Sequence, residues 1–127
     1  MSGPAFLPFA RPQIDEATIA RVGDVIRSNW IASGPNVVAF ESALSALCGG
    51  RPVRSMTSAT VAMEVALQLC GIGAGDEVIT PSQTFFAAAN MIVKVGAKPV
   101  FVDCDLLTRN LDIDQAASAI GSSSTRA

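Results

Sequence analysis

Apolar and polar positions change their period along this chain, and the change divides it. Ile19, Val22 and Ile26 recur at steps of three and four behind Asp15 and Glu16. Those acids stand where a helix start takes a capping carboxylate and an acidic first turn, so the spacing predicts an amphipathic helix over 15–28. After the loop "WIASGP", Pro35 sits where a first helical residue tolerates proline, and Val37, Phe40, Leu44 and Leu47 form the stripe of a second helix closed by Gly49 and Gly50. From residue 52 onward short apolar runs alternate with longer helical patterns. "PVRSM" is a weak strand signal, "EVIT" a better one and "PVFVD" the clearest, with helices predicted over 59–71 and 84–95 that end at Gly71 and Gly96. Asp112 stands as the cap of a last helix carrying Ile113, Ala116, Ala117 and Ile120 on one face.

The resulting order, β-α-β-α-β, implies an α/β architecture with a parallel sheet and ligand sites at the carboxyl ends of the strands. The predicted organisation is a helical segment over 1–51 followed by the first part of an α/β domain over 52–127. Three parallel strands with two open edges make a poor finished domain, so the pattern also predicts that the sheet continues beyond this chain. The run "GSSSTRA" at the end reads either as a tail or as the approach to a further strand.

Composition narrows the chemistry. The 127 residues suffice for one ordinary domain, and 9 basic against 11 acidic residues give no long run of either sign, which argues against a nucleic-acid partner. Histidine and tyrosine are absent, which removes histidine-based triads and histidine metal sites. The three cysteines, Cys48, Cys70 and Cys104, are scattered and suggest neither a zinc site nor a disulfide framework; a reducing, cytoplasmic setting is expected. No stretch is apolar and long enough to span a bilayer, and "MSGPAFLPFARP" lacks the pattern of a secretory signal. Half of the residues are hydrophobic. Either alanine inflates that share, or apolar surface awaits a covering partner.

Candidate chemistry gathers at the predicted strand ends. Ser58, Ala59 and Thr60 open an almost wholly apolar helix in which Glu64 and Gln68 lie four apart on one narrow face. A helix start offers free amides and partial positive charge, and small side chains let an anion approach them, so this turn suits a phosphate. Ser58 also reads as an ordinary N-cap, and the two roles are compatible. In "TPSQTFF", Phe85 and Phe86 read first as core residues, although one of two adjacent rings on a helix can face a cleft and lie against a flat heteroaromatic ring. Asp103 and Asp105 read as turn caps rather than metal ligands, and Cys104 as core filling. Trp30, with Ser33 and Gly34 in its loop, either roofs the core or shapes a pocket.

Taken in order, "FLPFARP", "NWIASGP", "SATVAME", "GAGDEVITPSQTFFAAANMI" and "GAKPVFVDCD" resemble the N-terminal part of the DegT/DnrJ family of nucleotide-sugar aminotransferases. The likeness extends from about residue 6 to the end of the chain. It implies the aspartate-aminotransferase-like fold (fold type I), pyridoxal 5'-phosphate as cofactor, an amino-acid donor such as glutamate, a keto-sugar nucleotide acceptor and a homodimer. By that resemblance Ser58, Ala59 and Thr60 receive the cofactor phosphate and Phe85 stacks on its pyridine ring, with Phe86 turned to the core. Trp30, Ser33 and Gly34 border the sugar-nucleotide pocket. The family's catalytic lysine, and the aspartate that keeps the pyridine nitrogen protonated, come later in the chain than residue 127. Lys94 and Lys98 stand in no matching context, so no catalytic residue is assigned and the 127 residues alone are expected to be inactive. Two alternatives stay open: a sugar dehydratase of the same family that lacks the lysine, and a non-enzymatic α/β phosphate-binding module. The absence of a Gly-x-Gly-x-x-Gly or Walker-type loop argues against the usual nucleotide binders.

Overall fold

The computed structural model describes residues 6–120. The chain divides into two compact units, Met1–Ser55 and Met56–Ala127. No described helix is long and apolar enough to cross a membrane.

The first unit carries α1 (Glu16–Arg27) and α2 (Pro35–Leu47). Asp15 caps α1, its Oδ1 accepting the Thr18 amide at 2.8 Å. Hydrogen bonding from Thr18, through its side chain and then its amide, holds the Asp15 carboxyl below the usual carboxylate range. The helix stops as predicted: Asn29 turns into the left-handed region at φ 58°, a conformation that asparagine tolerates better than most residues. The Ile19, Val22 and Ile26 stripe, predicted from the spacing, lies open to solvent among the described residues. Helix α2 begins at Pro35, whose missing N–H is one that the first turn leaves unbonded in any case.

The mostly buried Glu41 of α2 decides the fate of "PVRSM". Its Oε1 accepts the amide and hydroxyl of Ser55 at 2.8 and 3.0 Å, while Oε2 takes Arg54 Nη1 at 2.9 Å. The Ser55 amide, which a strand would offer to a neighbour, is thereby consumed by a carboxylate. Residues 52–56 form no strand, contrary to the expectation from sequence.

The second unit runs α3 (Ala59–Leu69), β1 (Glu77–Pro81), α4 (Ala87–Lys94), β2 (Lys98–Val102) and α5 (Ile113–Ile120). The strands pair in parallel from Glu77 opposite Lys98 to Pro81 opposite Val102. Lys98 Nζ reaches Glu77 Oε1 at 2.8 Å on the first rung. The ladder continues past the last rung, where the Ser82 amide donates to the Val102 carbonyl at 2.8 Å. Helix α4 is the crossover that a parallel pair requires.

Packing follows from that topology. Ala87 and Ile92 of α4 bury themselves with Ala97, Val102 and the Thr80 side chain, so the core lies between α4 and the two strands. Helix α3 packs on α4, and α5 on β2. Gly96 closes α4 at φ 89°, and a Cβ there would stand 3.4 Å from the Ala74 amide nitrogen, so both backbone angle and space favour glycine. Two predicted features change. The sheet among the described residues has two strands instead of three. Helix α4 begins at Ala87, three residues later than the spacing suggested, because residues 82–86 are spent in leaving the ladder and turning. Asp112 caps α5 as predicted, its Oδ1 accepting the amides of Asp114 and Gln115 at 3.0 Å each. The run "GSSSTRA" lies outside the described residues.

Candidate functional site

Helix α3 opens with amides that its own cap leaves unused. Ser58 stands in extended backbone at φ −160° and ψ 160° and caps the helix, its Oγ accepting the Val61 amide at 3.2 Å. The Ala62 amide takes the Ser58 carbonyl at 3.1 Å. Among the described residues nothing accepts from the amides of Ala59 and Thr60. Ala59 is exposed and Thr60 half-buried, so neither amide is sealed from an approaching ligand. The Ser58 hydroxyl, used by Val61 only as an acceptor, keeps its proton for donation. Two unengaged amides at the positive end of an 11-residue helix, flanked by two hydroxyls and no carboxylate in the first turn, match the donor set that a phosphate dianion needs. Ser58 is thus the N-cap of α3, and capping leaves its hydroxyl proton and the next two amides unused.

Phe85 and Phe86 lie in the connector before α4, after the strand that ends at Pro81. The Phe85 ring is 68% exposed and that of Phe86 65%, with centroids 4.4 Å apart and planes tilted by 44°. The core reading fails for both, and Phe86 is not turned inward as the resemblance implied; it is the N-cap of α4 in helical backbone geometry. Two open rings beside each other form an apolar, aromatic surface on which a flat ring can rest.

The acidic turn after β2 has a different character. Asp105 Oδ1 accepts the amides of Leu107 and Thr108 and the Thr108 hydroxyl at 3.2, 2.7 and 2.8 Å. These bonds, the Thr108 amide foremost, hold the Asp105 carboxyl below its usual range. Asp103 Oδ1 accepts the Cys104 amide at 2.8 Å. Turn capping is thus what both acids do. Cys104 is half-buried rather than core, and its Sγ donates to Gln83 Oε1 at 3.0 Å, tying the β2 exit to the connector that holds Phe85. Sequence reasoning had no signal for that contact, because its partners lie 21 residues apart.

In the first unit, the Trp30 indole folds over its own loop. Nε1 donates to the Ser33 carbonyl at 2.9 Å, and a Cβ on Gly34 would stand 2.7 Å from the ring, a distance only glycine avoids. The side chain remains 58% exposed, so the loop is internally fixed yet presents an aromatic face.

The relatives of the chain complete this description. Residues 12–127 match the profile of the DegT/DnrJ/EryC1/StrS aminotransferase family. The chain belongs to that family. Over 100 residues it is 50% identical to the UDP-4-amino-4-deoxy-L-arabinose–oxoglutarate aminotransferase of Shewanella sediminis (strain HAW-EB3), a match covering 79% of this chain and 26% of the relative. Among solved structures, a protein described as the sugar aminotransferase Spr1654 of Streptococcus pneumoniae, in its PLP form, superposes with a TM-score of 0.84 at 40% identity, covering 89% of this chain and 29% of that one. The same protein is also known in a PMP form. The aminotransferase TlmJ of Streptoalloteichus hindustanus gives 0.83 at 35% identity, covering 92% and 32%. The α/β fold of parallel strands and flanking helices is accordingly the aminotransferase fold, and the chain spans about a quarter of the length of the curated relative it matches.

Proposed function

We propose that this chain is the N-terminal portion of a pyridoxal-phosphate-dependent aminotransferase that transfers an amino group from glutamate to a keto-sugar nucleotide. The observation that carries the reading is the pair of unengaged amides at Ala59 and Thr60 on an otherwise apolar helix, in a chain whose relatives are sugar aminotransferases in PLP and PMP forms. The name of the Shewanella relative, with its 4-amino sugar and its oxoglutarate, supports both the acceptor class and the donor.

When bound, the cofactor supplies a protonated heteroaromatic ring that draws electrons from the carbon bearing the transferred nitrogen. The chain's own residues do the holding. Ala59 and Thr60 would donate their amides, and Ser58 and Thr60 their hydroxyls, to the phosphate; the helix dipole adds to that attraction. Phe85 would offer its ring face to the cofactor ring and keep water from it. Trp30, Ser33 and Gly34 would border the sugar nucleotide, the indole being already fixed by the Ser33 carbonyl.

Neither lysine is placed for covalent catalysis in this reading. Lys94 Nζ is taken by Glu64 at 2.6 Å and Lys98 Nζ by Glu77 at 2.8 Å. The catalytic lysine would come from outside these residues, the isolated chain would not turn over, and the whole protein would work as a cytoplasmic homodimer.

The test is a titration of the full-length protein with pyridoxal phosphate, followed by glutamate and a UDP-4-keto-pentose, with the amino sugar detected by mass spectrometry. Tight cofactor binding with formation of the amino sugar is expected. Absence of cofactor binding would sink the proposal, and cofactor binding with loss of water from the sugar in place of amination would make the protein a dehydratase.

A further inference from the structure

Glu64 and Lys94 have no part in the scheme above, yet they meet. Lys94 Nζ, at the last residue of α4, donates to Glu64 Oε2 on α3 at 2.6 Å across thirty residues of sequence. The Glu64 side chain is 20% exposed and that of Lys94 57%. Among the described residues this is the one side-chain hydrogen bond or ion pair that joins α3 to α4.

Apart from Thr60 and Gln68 of α3 and Asn90 of α4, the other residues of the two helices are alanine, valine, methionine, leucine and isoleucine. Contact between such surfaces is non-directional, and it says little about where one helix stands along the other. An ion pair is directional, and the specification of register is the best-attested use of a polar pair in an apolar setting. Here register has a consequence at both helix starts. Glu64 lies one turn beyond Thr60, so its position and that of the open amides are rigidly coupled. Lys94 ends the helix whose first residues follow Phe85 and Phe86.

We propose that the Glu64–Lys94 pair is a register pin: it sets the axial position of α3 on α4 and thereby the spacing between the Ala59 and Thr60 amides and the Phe85 ring. The proposal rests on the reading of those groups as phosphate and ring contacts. Glu64 and Lys94 are positioning residues, acting only through the residues they align. A slip of a few tenths of an ångström is enough to matter, since binding constellations need their groups placed to within about 0.5 Å.

A field effect is the competing explanation, and the two single variants separate it from the pin. Removing a carboxylate charge near an anion site would tighten phosphate binding, while removing its lysine partner would weaken it; loss of a pin weakens binding in both. In the full-length protein, Glu64→Gln and Lys94→Met are each expected to raise the Kd for pyridoxal phosphate by about tenfold, and the exchanged pair E64K/K94E to return it to within about threefold of wild type. The midpoint of thermal unfolding should fall by a few degrees in each single variant and recover in the exchanged pair, because a pair that changes binding tenfold must favour the aligned register by a comparable amount. Tighter binding by E64Q beside weaker binding by K94M would overturn the pin in favour of the field. So would unchanged binding in both variants, with or without a fall in the unfolding midpoint.

A second readout needs no cofactor. The amide chemical shifts of Ala59 and Thr60 in the cofactor-free protein should move in both single variants and return in the exchanged pair, and shifts that stay put would overturn the pin. If wild type binds no pyridoxal phosphate, the proposed function fails by itself, and these shifts still decide whether the register is pinned.

Discussion

Residues 58–61 and residues 105–108 both turn on a side-chain oxygen that accepts main-chain amides, and they end in opposite states. At the α3 start a neutral hydroxyl takes one amide, from Val61, and leaves those of Ala59 and Thr60 without an acceptor among the described residues. In the acidic turn one carboxylate oxygen takes two amides and a hydroxyl. The first turn can receive an anion because its cap brings no charge and leaves donors unused; the second has closed around its own anion. A neutral cap at a helix start is compatible with an incoming anion, whereas a carboxylate that has gathered its own donors already supplies the charge.

That comparison can be broken most sharply at Ser58. Ser58→Asp keeps a capping oxygen but puts a negative charge where the phosphate is proposed to bind, so pyridoxal phosphate affinity of the full-length protein should fall roughly a hundredfold or more, as like charges in contact cost several kcal/mol. Far-ultraviolet circular dichroism should show the helix intact, since aspartate caps as well as serine does. Binding at the wild-type level would mean that the phosphate is held elsewhere.

Thr60→Val should cost less, about tenfold in the same titration, by removing a hydroxyl and sparing the amide. Replacing Phe85 with alanine is expected to weaken the cofactor by about three- to tenfold through loss of the stacking surface, with leucine recovering part of it. Phe86→Ala serves as the control: although the two rings are almost equally exposed, only Phe85 is proposed to carry the stack. Equal losses in the two variants would show that the ring pair acts as one surface.

The smallest expected effect lies in the second turn. The Asp105 carboxyl is held below its ordinary range in the folded chain, so its contribution is fully present above the unfolded carboxylate value and is lost as the pH falls through the lower folded value. Amide exchange at Leu107 and Thr108 should therefore accelerate on the acid side of the usual carboxylate range, and Asp105→Asn should abolish that pH dependence while leaving cofactor affinity unchanged. The Glu41 carboxyl is depressed in the same direction by the amide, then the hydroxyl, of Ser55. Ser55 exchange should follow the same sign of pH dependence.

Helices with a clean period and a cap were legible. Asp15, Ser58 and Asp112 each accept an amide three residues on, at the helix starts the sequence marked. The glycines at 71 and 96 follow the last residues of α3 and α4 in left-handed backbone, as predicted. These are events within one turn of the chain, and local spacing encodes them. The strand signal of "PVRSM" misled because its amide was claimed by Glu41, 14 residues earlier. The Phe85–Phe86 pair misled because aromatic residues usually go inside; the helix that would have turned one of them inward starts only after both.

What the sequence alone determined is thus the alternation of strands and helices, the caps, the family likeness and the turn of small residues at 58–60. Which amides stay unengaged, which acids close on themselves and which lysine meets which glutamate were decided only in three dimensions. The physical reason is one of range: a cap is chosen by neighbours a few residues away, whereas the Glu64–Lys94, Gln83–Cys104 and Glu41–Ser55 contacts join residues that only packing brings within reach.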